Sequence, residues 1–266
     1  MRTIIVAGIA LAAGSLGATL VSPPTSAADA PDRVADQRPQ RINGDLPAHS
    51  FYFTRAIYSS GSGGWRRGAA WETDYPEADI HFGIVLRRVT NLDAHHDPNP
   101  IRLDDPELRR FPFLYAVEVG YMQLTDAEVE GLRDYLLAGG FLMVDDFWGS
   151  REWAAFEENI RRVLPDRPIV EIPKDHPVFR SYYRIDELVQ VPAINNALRG
   201  RTWERDGYVP HLRGIFAEDG RLLVAINWNT DLGDAWEHAD KPYYPLEYST
   251  FAYEMTVNLI VYAMSH

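Results

Sequence analysis

The repeated switch between two hydrophobic periods constrains this chain more than any other feature. Residues 113–119 have the pattern of a strand, and residues 141–144 form a short, continuous apolar run, which is typical of a strand that is covered on both faces. Between these runs, apolar residues recur at a spacing of three and four, which is typical of amphipathic helices. Because strand, helix and strand in succession form a crossover, the pattern predicts an α/β fold, with a mostly parallel sheet and helices on both faces.

Local signals place the individual elements. The predicted strands are residues 50–54, 113–119, 141–144, 169–172, 214–216 and 221–226. Asp74, Thr125 and Ser150 are the predicted N-caps of three helices, and Thr125 forms a capping box with Glu128. The turn at residues 218–220 predicts a C-terminal hairpin, and a closing helix is expected from about residue 246 to 264.

The first thirty residues have the pattern of an export signal. Arg2 is followed by an apolar and small-residue run over residues 4–21, and small residues then offer a cleavage site after Ala28. We therefore expect a signal peptide at 1–28, a flexible polar lead-in at 29–48 and one α/β domain at 49–266. This predicts export by the general secretory route, to the periplasm or the outside. A retained membrane anchor is the alternative for 1–28. No later apolar segment is long enough to predict a transmembrane helix in the mature chain.

Charge and composition exclude several classes of function. The chain has 26 Lys and Arg residues against 38 Asp and Glu residues, and its formal net charge of −12 argues against nucleic acid as a partner. It has no cysteine, so disulfides, thiolate nucleophiles and Cys-ligated zinc are impossible. No Gly-x-Ser-x-Gly elbow, Walker A sequence, Gly-x-Gly-x-x-Gly or His-Glu-x-x-His motif occurs.

Candidate binding residues follow from the rule that ligands of open α/β sheets lie beyond the carboxyl ends of the strands. Acidic, amide and indole side chains cluster after two predicted strands, and one arginine follows the first strand. The candidates are Arg55, Asp145, Asp146, Trp148, Asn229, Asp231, Asp234, Trp236 and Glu237.

Each type of candidate has a functional and a structural interpretation. The adjacent carboxylates Asp145 and Asp146 would contact a ligand, act as an acid/base pair or hold a hard metal between them. Alternatively, one caps a helix and the other forms a salt bridge. Trp148 and Trp236 would stack on a sugar ring or another flat ligand, or would pack in the core. The sequence assigns no residue to a metal, and it identifies no cofactor.

Three functions are compatible with these candidates. The leading hypothesis is a module that binds a small polar ligand, such as a carbohydrate, at the strand ends. In the second, the same acids carry out acid/base or metal-assisted hydrolysis. In the third, the domain binds another envelope protein without catalysis.

Several motifs, in the same order, resemble the bacterial DUF4159 family of unknown function. They lie at residues 71–79, 111–115, 139–149 and 229–237, and the resemblance covers about residues 49–264. It implies a domain similar to the class I glutamine amidotransferase-like superfamily, a flavodoxin-like fold that includes the ThuA-like proteins. The cysteine nucleophile of glutamine amidotransferases is absent, and Asp145 and Asp146 stand at its approximate place. Ammonia release through a thioester is therefore excluded. The resemblance implies no catalytic residues.

Overall fold

A computed structural model describes residues 49–61 and 69–266. The predicted signal peptide at 1–28 and the lead-in at 29–48 lie outside the described residues. The strands are β1 (Thr54–Ile57), β2 (Asn99–Arg102), β3 (Phe113–Val117), β4 (Phe141–Asp145), β5 (Ile169–Glu171), β6 (His211–Phe216) and β7 (Leu222–Trp228). The α-helices are α1 (Glu77–Val89), α2 (Asp126–Leu137), α3 (Gly149–Val163), α4 (Ile194–Ala197), α5 (Leu232–Glu237) and α6 (Leu246–Ser265).

Within the described ranges, the seven strands form one sheet in the order β2-β1-β3-β4-β7-β6-β5. The first five strands of this order pair in parallel, whereas β6 is antiparallel to both β7 and β5. The prediction of an α/β fold with a mostly parallel sheet is therefore confirmed. The predicted C-terminal hairpin is β6–β7, and the predicted closing helix is α6.

Both faces of the sheet are covered, as the continuous apolar runs predicted. Along β4, Phe141 and Met143 belong to a core cluster that includes residues of α1, α5 and α6. Leu142 and Val144 belong to a second cluster, which includes residues of α2 and α3. Successive residues of a strand point to opposite faces, so a strand that is buried on both sides carries no polar position to break its apolar run.

Three strand predictions need correction. The first strand begins at Thr54, where the predicted segment 50–54 ends, and Phe51 makes only an isolated bridge to Ala94. Strand β2 was not predicted, because it contains Pro100 and has a single buried residue, Ile101. It lies at the edge of the sheet, where proline is tolerated. Strand β5 was predicted as part of the parallel succession, but it is the antiparallel strand at the opposite edge.

One of the three predicted N-caps is confirmed. The Thr125 hydroxyl accepts a hydrogen bond from the Glu128 amide, and the Glu128 carboxylate accepts one from the Thr125 amide. Asp74 is not an N-cap, since α1 begins at Glu77 with Pro76 in the cap position. Ser150 is not one either, because α3 begins at Gly149. Asp74 instead turns into the site described below.

None of the helices within 49–61 and 69–266 is long and apolar enough to cross a membrane.

Candidate functional site

Three neighbouring strands are each followed directly by a residue whose backbone has the left-handed conformation. Glu118 follows β3 with a φ of 53°, Asp146 follows β4 with a φ of 50°, and Asn229 follows β7 with a φ of 63°. This conformation is uncommon for residues other than glycine and concentrates at functional sites. The Asp146 amide donates to the Thr230 carbonyl, and the Asn229 amide donates to the Phe147 carbonyl. The ends of β4 and β7 are therefore held together, and each turns sharply at a polar residue.

Asp145, the last residue of β4, is fully buried and organises the next part of the site. Its Oδ2 accepts hydrogen bonds from the amides of Leu232 (2.7 Å) and Gly233 (3.1 Å) at the start of α5, and from the Tyr115 hydroxyl (3.2 Å). Its Oδ1 is buried and has no hydrogen-bond partner among the described residues. Burial raises the pKa of Asp145 to about 7, although the amides of Gly233 and Leu232 act to lower it.

Three further carboxylates converge beside Asp145. One carboxylate oxygen from each of Asp74, Asp146 and Asp231 lies within 4.8 Å of the others. Asp146 is 7% exposed and Asp231 is 4% exposed, whereas Asp74 is partly buried. The Oδ2 atom of Asp74 is buried and has no hydrogen-bond partner among the described residues. We call these three residues the carboxylate cluster.

The surroundings of the carboxylate cluster disfavour three negative charges. Burial is the main cause that raises the pKa of each of the three carboxyls, and the charges of neighbouring acids raise these pKa values further. For Asp74 these neighbours include Asp234 and Glu237, and for Asp146 they include Glu118. The cluster therefore favours either bound protons or a bound cation.

The backbone of Gly233 passes close to the carboxylate cluster, and the missing side chain of this residue leaves space for Asp74. A methyl group added at Gly233 would lie 2.8 Å from Asp74 Oδ2 and 2.8 Å from the Tyr115 hydroxyl. Real contacts of that kind do not get so short, so only glycine fits there without a shift of its neighbours.

Arg55 contributes to the site indirectly. It lies within β1 rather than beyond it, is fully buried, and its Nε donates to both Asp79 carboxylate oxygens at 3.0 and 3.1 Å. Its Nη1 donates to the carbonyls of Trp71 (3.1 Å) and Thr73 (2.9 Å). Arg55 therefore anchors the segment that carries Asp74, and Asp79 already pairs with its charge.

The remaining acidic candidates form an adjoining group on α5. Oxygens of Asp234 and Glu237 and a nitrogen of His238 lie within 4.8 Å of one another. His238 Nε2 lies 3.2 Å from Asp234 Oδ1, and this hydrogen bond is the main cause that raises the pKa of His238. Asp234 also accepts a hydrogen bond from the Ile194 amide, while Asp231 accepts one from the Asp234 amide. These partners make Asp234 part of an ion-paired network.

The two predicted stacking residues lie in the interior. Trp236 is fully buried, and its ring packs against Phe53, Phe82 and Tyr115, with ring centroids 4.8–5.9 Å apart. Trp148 is also buried, and its indole nitrogen donates to Asp146 Oδ1 at 3.0 Å. Neither ring offers an open face to a ligand, so the structural interpretation, core packing, describes both residues.

Asn229 connects the strand ends to the neighbouring loop. Its side-chain oxygen accepts from the Gly149 amide at 2.8 Å, and its side-chain nitrogen donates to the Val209 carbonyl at 2.8 Å. The residue is buried, so both ends of its amide are used within the protein. Its place in the structure is that of a connector between β7, α3 and the loop before β6.

Sequence reasoning identified Asp146 and Asp231 but missed Asp74 and Glu118. Asp74 was interpreted as a helix cap, because it precedes an amphipathic run with Glu77 three residues later. Glu118 was included in a strand that ends one residue earlier. The sequence marked Asp74 as lying before a helix and Glu118 as lying near the end of a strand. Such signals do not distinguish a carboxylate that caps a helix from one whose side chain points into a site shared with other segments.

The described residues thus define an α/β protein with a buried carboxylate cluster at the carboxyl edge of its parallel strands. The chain belongs to the DUF4159 family, described as a domain of unknown function, whose sequence profile matches residues 53–264. No match was found among the curated proteins.

Proposed function

We propose that this protein binds a divalent cation at Asp74, Asp146 and Asp231, and that the cation helps to hold a polar ligand. The observation that carries the proposal is the convergence of three carboxylates within 4.8 Å, one of which keeps a buried oxygen without a hydrogen-bond partner among the described residues. Oxygen-only donor sets suit hard cations such as magnesium, calcium or manganese.

Electrostatics supports a cation over three unpaired charges. At a separation of 4.8 Å, two unit charges repel by roughly 3–4 kcal/mol at an effective dielectric of about 20. The charge of Arg55 acts to lower the pKa of Asp74, but Arg55 is already paired with Asp79. A divalent cation would replace the repulsion with attraction, and it would displace the protons that burial otherwise favours.

A cation-dependent hydrolase is the second candidate, and the Asp145 carboxyl favours it. Burial raises the pKa of Asp145 to about 7, in the range that suits a general acid or base near neutral pH, and this carboxyl lies next in sequence to Asp146 of the proposed cation site. Burial is the main cause that raises the pKa of Asp146 and of Asp231, and the charge of Asp145 raises both values further. Hydrolysis of p-nitrophenyl esters and phosphates, with cation and after chelation, tests this candidate. It requires activity that chelation removes and that Asp146→Asn lowers.

Two proposals concern the setting of the site. We propose that residues 1–28 direct the protein out of the cytoplasm, on the strength of the charged start, the apolar run and the small residues before the cleavage site.

We also propose that the fold is that of the class I glutamine amidotransferase-like superfamily. The mostly parallel sheet and the motifs at residues 139–149 support this assignment. An envelope protein partner is a further proposal, and co-purification tests it.

Calorimetric titration with magnesium, calcium and manganese tests the cation site. When the cation concentration is roughly 100 times the Kd, the parent protein gains about 2.7 kcal/mol of stability. This gain raises the Tm by roughly 5–10 °C in a thermal unfolding experiment. Asp231→Asn and Asp74→Asn should lose most of this shift. The side-chain oxygen that Asp231→Asn retains can still accept from the Asp234 amide, so the α5 cap is kept. Asp166→Asn, at an exposed carboxylate, is the matched control. If none of the three cations binds the parent, the proposal fails.

A further inference from the structure

Three histidines lie together at the amino edge of the parallel strands. His49 precedes β1, whereas His95 and His96 lie in the connection from α1 to β2. Because β1 and β2 are parallel, the segments that lead into them meet at one edge of the sheet, opposite to the edge that carries the carboxylate cluster. We call His49, His95 and His96 the histidine cluster. The proposed cation site uses none of these residues.

Backbone hydrogen bonds hold the two segments of the histidine cluster against each other. The amides of Ser50 and Phe51 donate to the Asp93 carbonyl at 3.1 and 3.2 Å, and the His95 amide donates to the Phe51 carbonyl at 2.9 Å. Phe51 also forms a parallel bridge with Ala94. The positions from which the imidazoles project are therefore fixed by main-chain contacts.

The spacing of the three imidazole rings suits one metal ion. The ring centroids lie 5.1 Å (His49 to His95), 5.2 Å (His95 to His96) and 6.3 Å (His49 to His96) apart. A zinc ion lies about 2.1 Å from an imidazole nitrogen and so roughly 3.2 Å from the ring centre, which puts two rings on a tetrahedral ion about 5 Å apart. Two of the three separations have this value. The third is longer by roughly 1 Å, and the exposed His96 can shorten it by rotation about its side-chain bonds.

Two carboxylates orient two of the rings. His49 Nδ1 lies 2.8 Å from Asp93 Oδ1, and His95 Nε2 lies 3.6 Å from Asp97 Oδ2. These contacts leave Nε2 of His49 and Nδ1 of His95 for a metal ion. An imidazole that binds a metal ion usually donates its second nitrogen to a carboxylate or a carbonyl, which fixes the ring. The histidine cluster already has this arrangement at two of its three members.

His95 has the properties of a metal ligand. Its side chain is 11% exposed, and its ring packs against Tyr52 with a centroid separation of 4.9 Å. Its Nδ1 is buried and has no hydrogen-bond partner among the described residues. Burial lowers the pKa of His95, and the charge of Asp97 opposes this effect only in part. The ring is therefore neutral at neutral pH, which is the form of histidine that binds metal ions.

We propose that the histidine cluster binds a divalent transition-metal ion of the zinc, copper and nickel class through the imidazoles of His49, His95 and His96. Imidazole nitrogens suit these metals, whereas the oxygen donors of the carboxylate cluster suit magnesium, calcium or manganese. The site is separate from the proposed function and does not rest on it. The ion ties the segment that leads into β1 to the connection that leads into the edge strand β2, in a chain that has no cysteine to form a disulfide.

Calorimetric titration of the full chain with zinc chloride tests the inference. The protein carries no polyhistidine tag, and the buffer contains magnesium to occupy sites that prefer hard cations. His96→Asn removes an exposed ligand, and Asp93→Asn weakens the support of His49 while its side-chain oxygen can still accept a hydrogen bond. Each variant should bind zinc about tenfold or more weakly than the parent. His266→Asn, at an exposed histidine outside the histidine cluster, is the matched control and should retain the affinity of the parent.

Each outcome either supports the inference or overturns it. A parent that binds no zinc overturns it, and so does a loss of affinity in His266→Asn as large as that in His96→Asn. If His96→Asn and Asp93→Asn bind zinc as the parent does while Asp231→Asn loses it, the zinc ion lies at the carboxylate cluster and the inference fails. Thermal unfolding of the metal-free variants checks that they are folded.

The inference and the proposed function fail separately. Zinc binding that depends on His96, in a protein that binds no magnesium, calcium or manganese, supports the histidine cluster and refutes the cation site at the carboxylate cluster. Binding of one of those hard cations without zinc binding has the opposite meaning.

Discussion

Replacement of Asp145 by asparagine should change how the stability of the protein depends on pH. In the parent, burial raises the pKa of this carboxyl from its ordinary value of 3.8 to about 7. Between these two values the folded state binds the proton more tightly than the unfolded state does. The parent therefore loses stability as the pH rises through this window, and Asp145 accounts for roughly 4 kcal/mol in total.

The asparagine variant has no proton to lose at this position. Its side-chain oxygen can accept from the Leu232 and Gly233 amides, as Asp145 Oδ2 does. Its NH₂ group would occupy the place of the buried, unpartnered Oδ1, which costs about 1–3 kcal/mol at every pH. The informative quantity is therefore the slope of the unfolding free energy against pH, and not its absolute value.

Urea unfolding from pH 5 to pH 8 in the presence of EDTA measures this slope. Over that range the parent should lose about 3 kcal/mol more than Asp145→Asn does. Asp166→Asn, whose exposed side chain lies away from the site, should follow the parent. Superimposable pH profiles for the parent and Asp145→Asn would refute the reasoning that burial of this carboxyl raises its pKa.

Three further substitutions test the fold that supports the site. Asp79→Ala leaves the fully buried Arg55 without its carboxylate and should cost about 3–5 kcal/mol in urea unfolding; a cost under 1 kcal/mol would contradict this. Thr125→Ala removes the N-cap of α2 and should cost about 1 kcal/mol, with Thr250→Ala on exposed surface as the comparison. Phe82→Ala opens the core beside Trp236 and should cost about 3–5 kcal/mol, measured as a lower Tm.

The parallel part of the fold could be predicted because its strands are buried on both faces. Strands β3 and β4 appear as continuous apolar runs, and Thr125 marks the start of the helix between them. Strand β2 could not be predicted, since its Pro100 and single buried residue give no period. Its pairing depends on β1, which lies more than forty residues earlier.

The site could be predicted only in part, for a related reason. The strand-end rule identified Asp146 and Asp231, because both follow strands, β4 and β7, that the apolar runs predicted. Asp74 enters the cluster from a loop, with a φ of 60° that only the folded surroundings fix. The burial of Trp236 likewise depends on rings from distant segments, including Phe82. Contacts between segments far apart in sequence leave no local pattern.

Gly233 offers a way to perturb the site without changing its charge. Because a single methyl group there would collide with Asp74 and with the Tyr115 hydroxyl, Gly233→Ala would crowd the cluster while leaving every carboxylate in place. An acid-to-amide exchange alters both size and electrostatics, whereas this change alters size alone. Comparison of cation binding by Gly233→Ala and by Asp231→Asn therefore separates the effect of space from the effect of charge at the carboxylate cluster.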